Sequence, residues 1–247
     1  MKNKLSLTCL DKCADSFYEP EGIQIANADN MGIYFPFFAN LIYADMIYEN
    51  PALEWIPRYW SRLQEEGVFI IQTDYHTVAK IKLLLDELDN AHFINWVIYK
   101  QEWGGVPQRG FAQKHDDILI YSKGKDFKWY GNRIQIPKAT AGIACDKRGT
   151  GLKTPCSVFD DLGNFSTVSR ERVKNDEGKN IRWQKPMKLM DRLLLPFTDE
   201  GDLIIDPFMG SGTTGLWCLR NNRRFFGIEL DQSTYEIAKN RLVEEVA

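Results

Sequence analysis

Apolar positions along the chain follow two rhythms, a run or alternation of strand length and a helical spacing of three and four, and the two alternate. Ile23–Asn27 and Leu41–Ala44 are short apolar runs that predict strands. Glu54–Glu66 carries aromatic and apolar residues at helical spacing and is expected as a helix stopped by Gly67, with a buried strand at Val68–Gln72. His76–Leu88 predicts a second amphipathic helix with Val78, Ile81, Leu84, Leu85 and Leu88 on one face. Strands at Phe93–Tyr99 and Ile118–Ser122 follow. Periodicity then fades from Lys123 to about Lys179, a stretch rich in Gly, Pro, Lys, Asp and Asn that is too long for a plain connection. It returns with a helix at Met187–Leu195, a strand at Leu203–Ile205, a glycine-rich turn, a helix at Thr213–Asn221, a strand at Phe225–Ile228 and a closing helix at Ser233–Glu245. Alternating strands and helices predict an α/β fold around a mostly parallel sheet with helices on both faces.

The turn after Leu203-Ile204-Ile205 carries the most chemistry. Asp206-Pro207-Phe208-Met209-Gly210-Ser211-Gly212-Thr213-Thr214-Gly215 runs from a strand into a helix, so backbone amides can approach a ligand without Cβ interference. Phe225-Phe226-Gly227-Ile228-Glu229 then sets an acid at the tip of the next strand, where a carboxylate can accept both ribose hydroxyls of a nucleoside. Gly210-x-Gly212-x-x-Gly215 also fits the dinucleotide fingerprint, which keeps a nicotinamide-dependent oxidoreductase as a remote alternative. Asp206-Pro207 ahead of the glycines suits a cationic, phosphate-free ligand better than a pyrophosphate. Upstream, Leu41-Ile42-Tyr43-Ala44-Asp45-Met46-Ile47-Tyr48 is a buried strand ending in an acid with an aromatic three residues later. In a parallel sheet Asp45 should face the same crevice as the glycine turn.

Charge changes the picture more than composition does. The chain is an ordinary globular protein of 247 residues, 44% hydrophobic, with a net charge of −3. That charge is unevenly spread: residues 1–122 carry −7, residues 123–188 carry +8 and residues 189–247 carry −4. The basic, loop-rich segment 123–182 is expected as an insert in a single domain spanning 1–247, and charge alone suits it equally to a phosphate-tracking recognition region and to a solvated loop. Lys123, Lys125, Lys147 and Arg148 within it, and Arg109 in the loop Trp103–Gly110 before it, are the candidate contacts to such phosphates. The five cysteines are odd in number and scattered, which predicts buried reduced thiols and no metal site. No apolar stretch is long enough to cross a bilayer, and a cytoplasmic protein is expected.

The order of these segments resembles the amino-group (adenine-N6 or cytosine-N4) DNA methyltransferases of the β class, in which the target motif precedes the cofactor motif. Asp206–Gly215 is similar to the family's cofactor loop, and Gly227-Ile228-Glu229-Leu230-Asp231 to its ribose-binding strand end. Gln184-Lys185-Pro186 resembles its methionine-side motif, His115–Lys123 the strand behind the target-base pocket, and Ala28-Asp29 the early acid that contacts adenine. The resemblance implies a Rossmann-like S-adenosylmethionine-dependent methyltransferase fold with permuted motif order. It also implies S-adenosylmethionine as cofactor, held by Asp29 at the adenine, Glu229 at the ribose, and Asp206, Pro207, Phe208, Gly210, Ser211, Gly212, Gln184 and Lys185 at the methionine half.

The same resemblance implies double-stranded DNA as substrate. It admits a homodimer and a cognate restriction endonuclease as partners, in a bacterial or phage-infected cell where the protein is nucleoid-associated. The implied reaction flips a base out of the duplex and moves a methyl group to its exocyclic amine, adenine N6 in the first instance and cytosine N4 as the alternative. Asp45 and the Met46 carbonyl would hydrogen-bond the amine, and Tyr48 would stack the base. One departure stands out. Asp45-Met46-Ile47-Tyr48 stands where the family usually has Asp, Asn or Ser, then Pro-Pro, then Tyr, Phe or Trp, which keeps both chemical ends and loses the rigidity of two prolines. A catalytically weak or inactive DNA-binding paralogue is the reading that this loss admits.

Overall fold

Eleven strands form in the computed structural model, which describes residues 7–11, 21–46, 52–101, 105–141, 150–163, 165, 169–174, 177–181 and 184–246. The first six are β1 (Leu7–Asp11), β2 (Ile23–Asn27), β3 (Ala39–Asp45), β4 (Leu63–Thr73), β5 (Ala91–Lys100) and β6 (His115–Lys123). The rest are β7 (Ile136–Pro137), β8 (Leu152–Lys153), β9 (Val158–Phe159), β10 (Leu203–Asp206) and β11 (Arg224–Glu229). Nine of them make one sheet in the order β1-β2-β11-β10-β3-β4-β6-β5-β9, and β7 pairs with β8 alone. From β1 through β4 every pairing is parallel, whereas β6 runs antiparallel to both β4 and β5.

The helices are α1 (Trp55–Trp60), α2 (Val78–Asp86), α3 (Met187–Leu194), α4 (Thr213–Arg220) and α5 (Gln232–Val246). They cover both faces of the sheet, and the strand side chains sort by the two-residue period. On β4, Val68 and Ile70 pack with Leu189, Leu193, Trp217 and Leu242 of α3, α4 and α5. Phe69 and Ile71, one residue out of phase, pack with Trp55, Ile56, Ile81 and Leu85 of α1 and α2. Burial on both sides explains why these strands read as continuous apolar runs. Truncating any one of these residues to alanine would cost about 2–5 kcal/mol.

The helix expected over Glu54–Glu66 is shorter than its pattern. It ends at Trp60, and β4 begins at Leu63, whose side chain is fully buried and whose backbone pairs with Ala39. The polar Gln64, Glu65 and Glu66 fill an irregularity between the Ala39 and Leu41 registers, with Glu66 at φ 66°. Leu63 continues the spacing of Trp55, Ile56, Tyr59 and Trp60 across the turn, so sheet pairing overrode a helical period.

The thiol expectation also needs correction. Cys218 is buried, but Cys156 lies exposed next to the edge strand β9, where no second layer covers it. Cys13 and Cys145 lie outside the described residues, as does the side chain of Cys9. Among the described residues no helix is long and apolar enough to cross a membrane.

Candidate active site

Strand order dictates where the site must be. β10 and β3 are neighbours, yet β10 continues through α4 to β11 on one side and β3 through α1 to β4 on the other. Their loops diverge on opposite faces and leave a crevice beyond their carboxyl ends. Asp206 ends β10 and Asp45 ends β3, so the expected cofactor and target acids flank one crevice. Glu229 ends β11 next to it, and Asp29 follows the end of β2.

The glycine turn is built by its backbone. Gly210 and Gly212 have φ of 51° and 77°, a left-handed region that costs other residues about 1–2 kcal/mol. A Cβ on Gly212 would lie 3.0 Å from the Cβ of Ala238 on α5. Glu229 tethers the loop from the next strand: its carboxylate accepts the Gly210 amide at 3.0 Å and the Asp231 amide at 2.9 Å. The Leu230 amide also bonds it, and since a carboxylate has about four acceptor positions, capacity remains for a ligand hydroxyl. Asp206 is buried and accepts the Phe208 amide at 3.0 Å. Burial pushes its carboxyl up to about 7, against the pull of Thr214 and the Phe208 amide, with Asp45 and Glu229 pushing further upward. Burial likewise raises Glu229.

Pro207 and Ser211 are buried in this turn, and Phe208 stands edge-on to Trp55 of α1 with ring centroids 5.0 Å apart. Asp29 is exposed, and its Oδ1 accepts the Met31 amide at 2.9 Å in a tight turn.

The target side holds a buried polar chain that sequence reasoning missed. The Tyr43 hydroxyl donates to Gln72 Oε1 at 2.8 Å, and Gln72 Nε2 donates to Asp116 Oδ2 at 2.6 Å. Lys185 Nζ lies 2.6 Å from Asp45 Oδ2 and 3.7 Å from Asp116 Oδ2. Burial raises the Asp116 carboxyl, Lys185 pulls it back and Asp45 pushes it up again. The available signal was a polar residue closing the apolar run of β4 (Gln72) and an acid opening that of β6 (Asp116).

Met46 is buried in the cluster formed with the α1 aromatics and the α2 aliphatics, and its amide donates to Gln72 O at 3.4 Å. A proline there could not make that bond. One backbone bond to β4 thus follows Asp45, at the position where the family's first proline is missing. Tyr48 lies outside the described residues.

Gln184 and Lys185 part company. The Gln184 side chain accepts the Val173 amide at 2.9 Å and donates to the Glu171 carbonyl at 2.6 Å, clasping the preceding segment, while Lys185 points at Asp45. The basic candidates do not converge. Lys123 lies at the amino end of the parallel strands, where Nζ bonds Leu63 O at 3.2 Å and sits 3.3 Å from Glu65, and Lys125 follows it there. Nearby, Lys128 and Arg133 pair with Asp199 and Asp202, so part of the basic excess neutralises the loop before β10. Arg109 is exposed in the loop that precedes β6. Lys147 and Arg148 lie outside the described residues, as does Trp103. At the loop ahead of β6 opens a cavity of about 680 Å³, lined by Tyr75, Val106, Phe111, Gln113 and His115 among others.

Against known proteins, the family model for N6/N4-type DNA methylases matches residues 41–240. The chain belongs to that family. It is 50% identical over 197 residues to the Type II methyltransferase M2.DpnII of Streptococcus pneumoniae, covering 76% of this chain and 66% of that one. It is 31% identical over 193 residues to the Type II methyltransferase M.HpaI of Haemophilus parainfluenzae, covering 78% of this chain and 58% of that one. The chain therefore spans somewhat less than two thirds of the length of these two curated relatives.

The crystal structure of an M1.HpyAVI–SAM complex shares the fold, with a TM-score of 0.65, 23% identity, and coverage of 89% of this chain and all of that one. The α/β methyltransferase fold with permuted order stands. The pocket suits S-adenosylmethionine chemically. A buried carboxyl raised to about 7 calls for a cationic neighbour, Glu229 keeps acceptor positions for hydroxyls, and a Cβ-free turn lies between them.

Proposed function

We propose that this chain is a Type II DNA methyltransferase that uses S-adenosylmethionine to methylate the exocyclic amine of a flipped base, adenine N6. The observation that carries the reading is the convergence of Asp45, Asp206 and Glu229 on one crevice, at the point where the strand connections diverge. An amine stacked inside a duplex cannot reach that crevice, so the base must swing out at a cost of a few kcal/mol. Tyr48 is the residue read as stacking it.

When bound, S-adenosylmethionine supplies an electrophilic methyl group on a sulfonium. Asp206 and Glu229 hold that cofactor at opposite halves, and the Gly210–Gly212 backbone lets it approach closely. Asp45 accepts a hydrogen of the target amine, which orients the nitrogen lone pair and stabilises the positive charge that grows on it. The same carboxylate then takes the proton that the nitrogen releases. No strong base is needed, because the cation formed when an aromatic amine nitrogen is alkylated is very acidic. An acid rather than serine at position 45 favours adenine N6. The family also contains cytosine-N4 enzymes, and that is the second reading.

The test is transfer from labelled cofactor to unmethylated DNA, followed by digestion and nucleoside chromatography. Label in N6-methyl-2′-deoxyadenosine supports the proposal. Label in N4-methylcytosine alone overturns the adenine assignment, and no label in either overturns the activity.

A further inference from the structure

We propose that Lys185 is a positioning residue that sets the Asp45 carboxylate against the target amine, with Asp116, Gln72 and Tyr43 fixing the ammonium in place. The inference rests on the proposed amino-methyltransferase reading. Its geometry is independent of it. Sequence position places Lys185 with the cofactor residues, at the approach to α3, yet its Nζ lies 2.6 Å from Asp45 and 3.7 Å from Asp116. Its side chain is only 8% exposed, and those of the two acids 15% and 11%. Two buried carboxylates around one ammonium repel each other as soon as the ammonium is withdrawn.

Each member of the chain has one job. Tyr43 donates to Gln72, which fixes the amide so that Nε2 faces Asp116. Asp116 thereby has one oxygen held and directed at Lys185. Lys185 in turn holds Oδ2 of Asp45 at 2.6 Å and so fixes the plane in which the carboxylate meets an amine. The backbone carbonyl of the same Gln72 receives the Met46 amide. One residue at the end of β4 therefore holds the Asp116 carboxylate with its side chain and the peptide after Asp45 with its backbone. In a chain whose target motif lacks both prolines, this brace provides the rigidity that an in-line approach demands, since a displacement near 1 Å costs about 100-fold in rate.

Among the described residues, the groups facing Asp45 are Lys185 ahead of α3, Asp116 on β6, Tyr43 on β3 and Asp206 on β10, and Lys185 is the cation of that set. Removing it takes away the charge that pulls the Asp116 carboxyl down and moves the acid limb of the rate profile to higher pH.

The experiment compares wild type, Lys185→Met, Lys185→Arg and Asp45→Ala. It reads single-turnover methylation against pH, S-adenosylmethionine affinity by calorimetry, and urea unfolding of the Asp45→Ala/Lys185→Met cycle. Lys185→Met should slow transfer about 10–100-fold and shift the acid limb upward while leaving cofactor affinity within about threefold, and Lys185→Arg should recover most of the rate. A loss that tracks cofactor affinity would make Lys185 a cofactor anchor and overturn the proposal, as would an unchanged rate. If wild type transfers no methyl group to any DNA, the functional reading fails and the unfolding cycle decides alone. Non-additive midpoints uphold the pairing, and additive ones overturn it.

Discussion

Asp206 offers a measurement of the pocket that needs neither DNA nor turnover. Its carboxyl is buried at the carboxyl end of β10 and is raised from an ordinary 3.8 to about 7, chiefly because burial disfavours the charged form. A rise of that size is worth roughly 4 kcal/mol of preference for the protonated state. Because the folded value lies above the unfolded one, the stabilising contribution is complete below about pH 4 and is lost as pH climbs toward 7.

Asp206→Asn keeps a neutral group of the same shape and removes that titration. The stability difference between variant and wild type should therefore move in the variant's favour by roughly 2–3 kcal/mol between pH 5 and pH 8, read as urea midpoints at each pH. Taking the difference cancels every other titrating group. A difference constant across that range would refute the burial argument. The ligand side has the same sign: a cation beside Asp206 favours its ionised form, so S-adenosylmethionine should bind wild type more tightly as pH rises through 7 and Asp206→Asn with little pH dependence. Affinity that falls with rising pH in wild type would contradict a cation at that position.

Three further outcomes follow from single contacts. Gly212→Ala forces alanine into φ 77° with its Cβ against Ala238, and should lower stability by about 1–2 kcal/mol, seen as a thermal midpoint lower by several degrees. Gln72→Leu strips partners from both Tyr43 and Asp116 in the interior, and should cost about 2–3 kcal/mol in urea unfolding, far more than a volume change alone. Lys123→Ala, at the amino end of the sheet, should leave DNA affinity within about twofold in fluorescence anisotropy. Arg109→Ala, in the loop before β6, should weaken it severalfold and lower its salt dependence. Equal losses for the two would show that DNA contacts both ends of the sheet.

Much of this architecture was legible because burial on both faces writes itself as unbroken apolar runs. Ile23–Asn27, Val68–Gln72 and Phe225–Ile228 are all found within strands, and the glycine turn sits where strand and helix required. Long-range pairing was not legible. That Leu63 would leave a helical period to pair with Ala39 depends on a strand two dozen residues away. Likewise no local pattern reveals that Lys185 crosses from the cofactor motif to Asp45, or that Gln72 meets Tyr43 and Asp116. The basic segment shows the limit of charge arithmetic. Lys128 and Arg133 raise its net charge, but their partners Asp199 and Asp202 lie some 70 residues downstream, so a surplus in sequence is partly cancelled in space. The sequence order of motifs located the crevice, and the side chains that brace it had to be seen in three dimensions.

The most direct test of the central claim is methylation-aware sequencing of DNA from cells expressing this chain, beside cells expressing Asp45→Ala. Wild type should leave N6-methyladenine at one short recurring sequence, and Asp45→Ala should leave none while still binding S-adenosylmethionine. Unmodified DNA in both, or the same modified sites in both, would contradict the account.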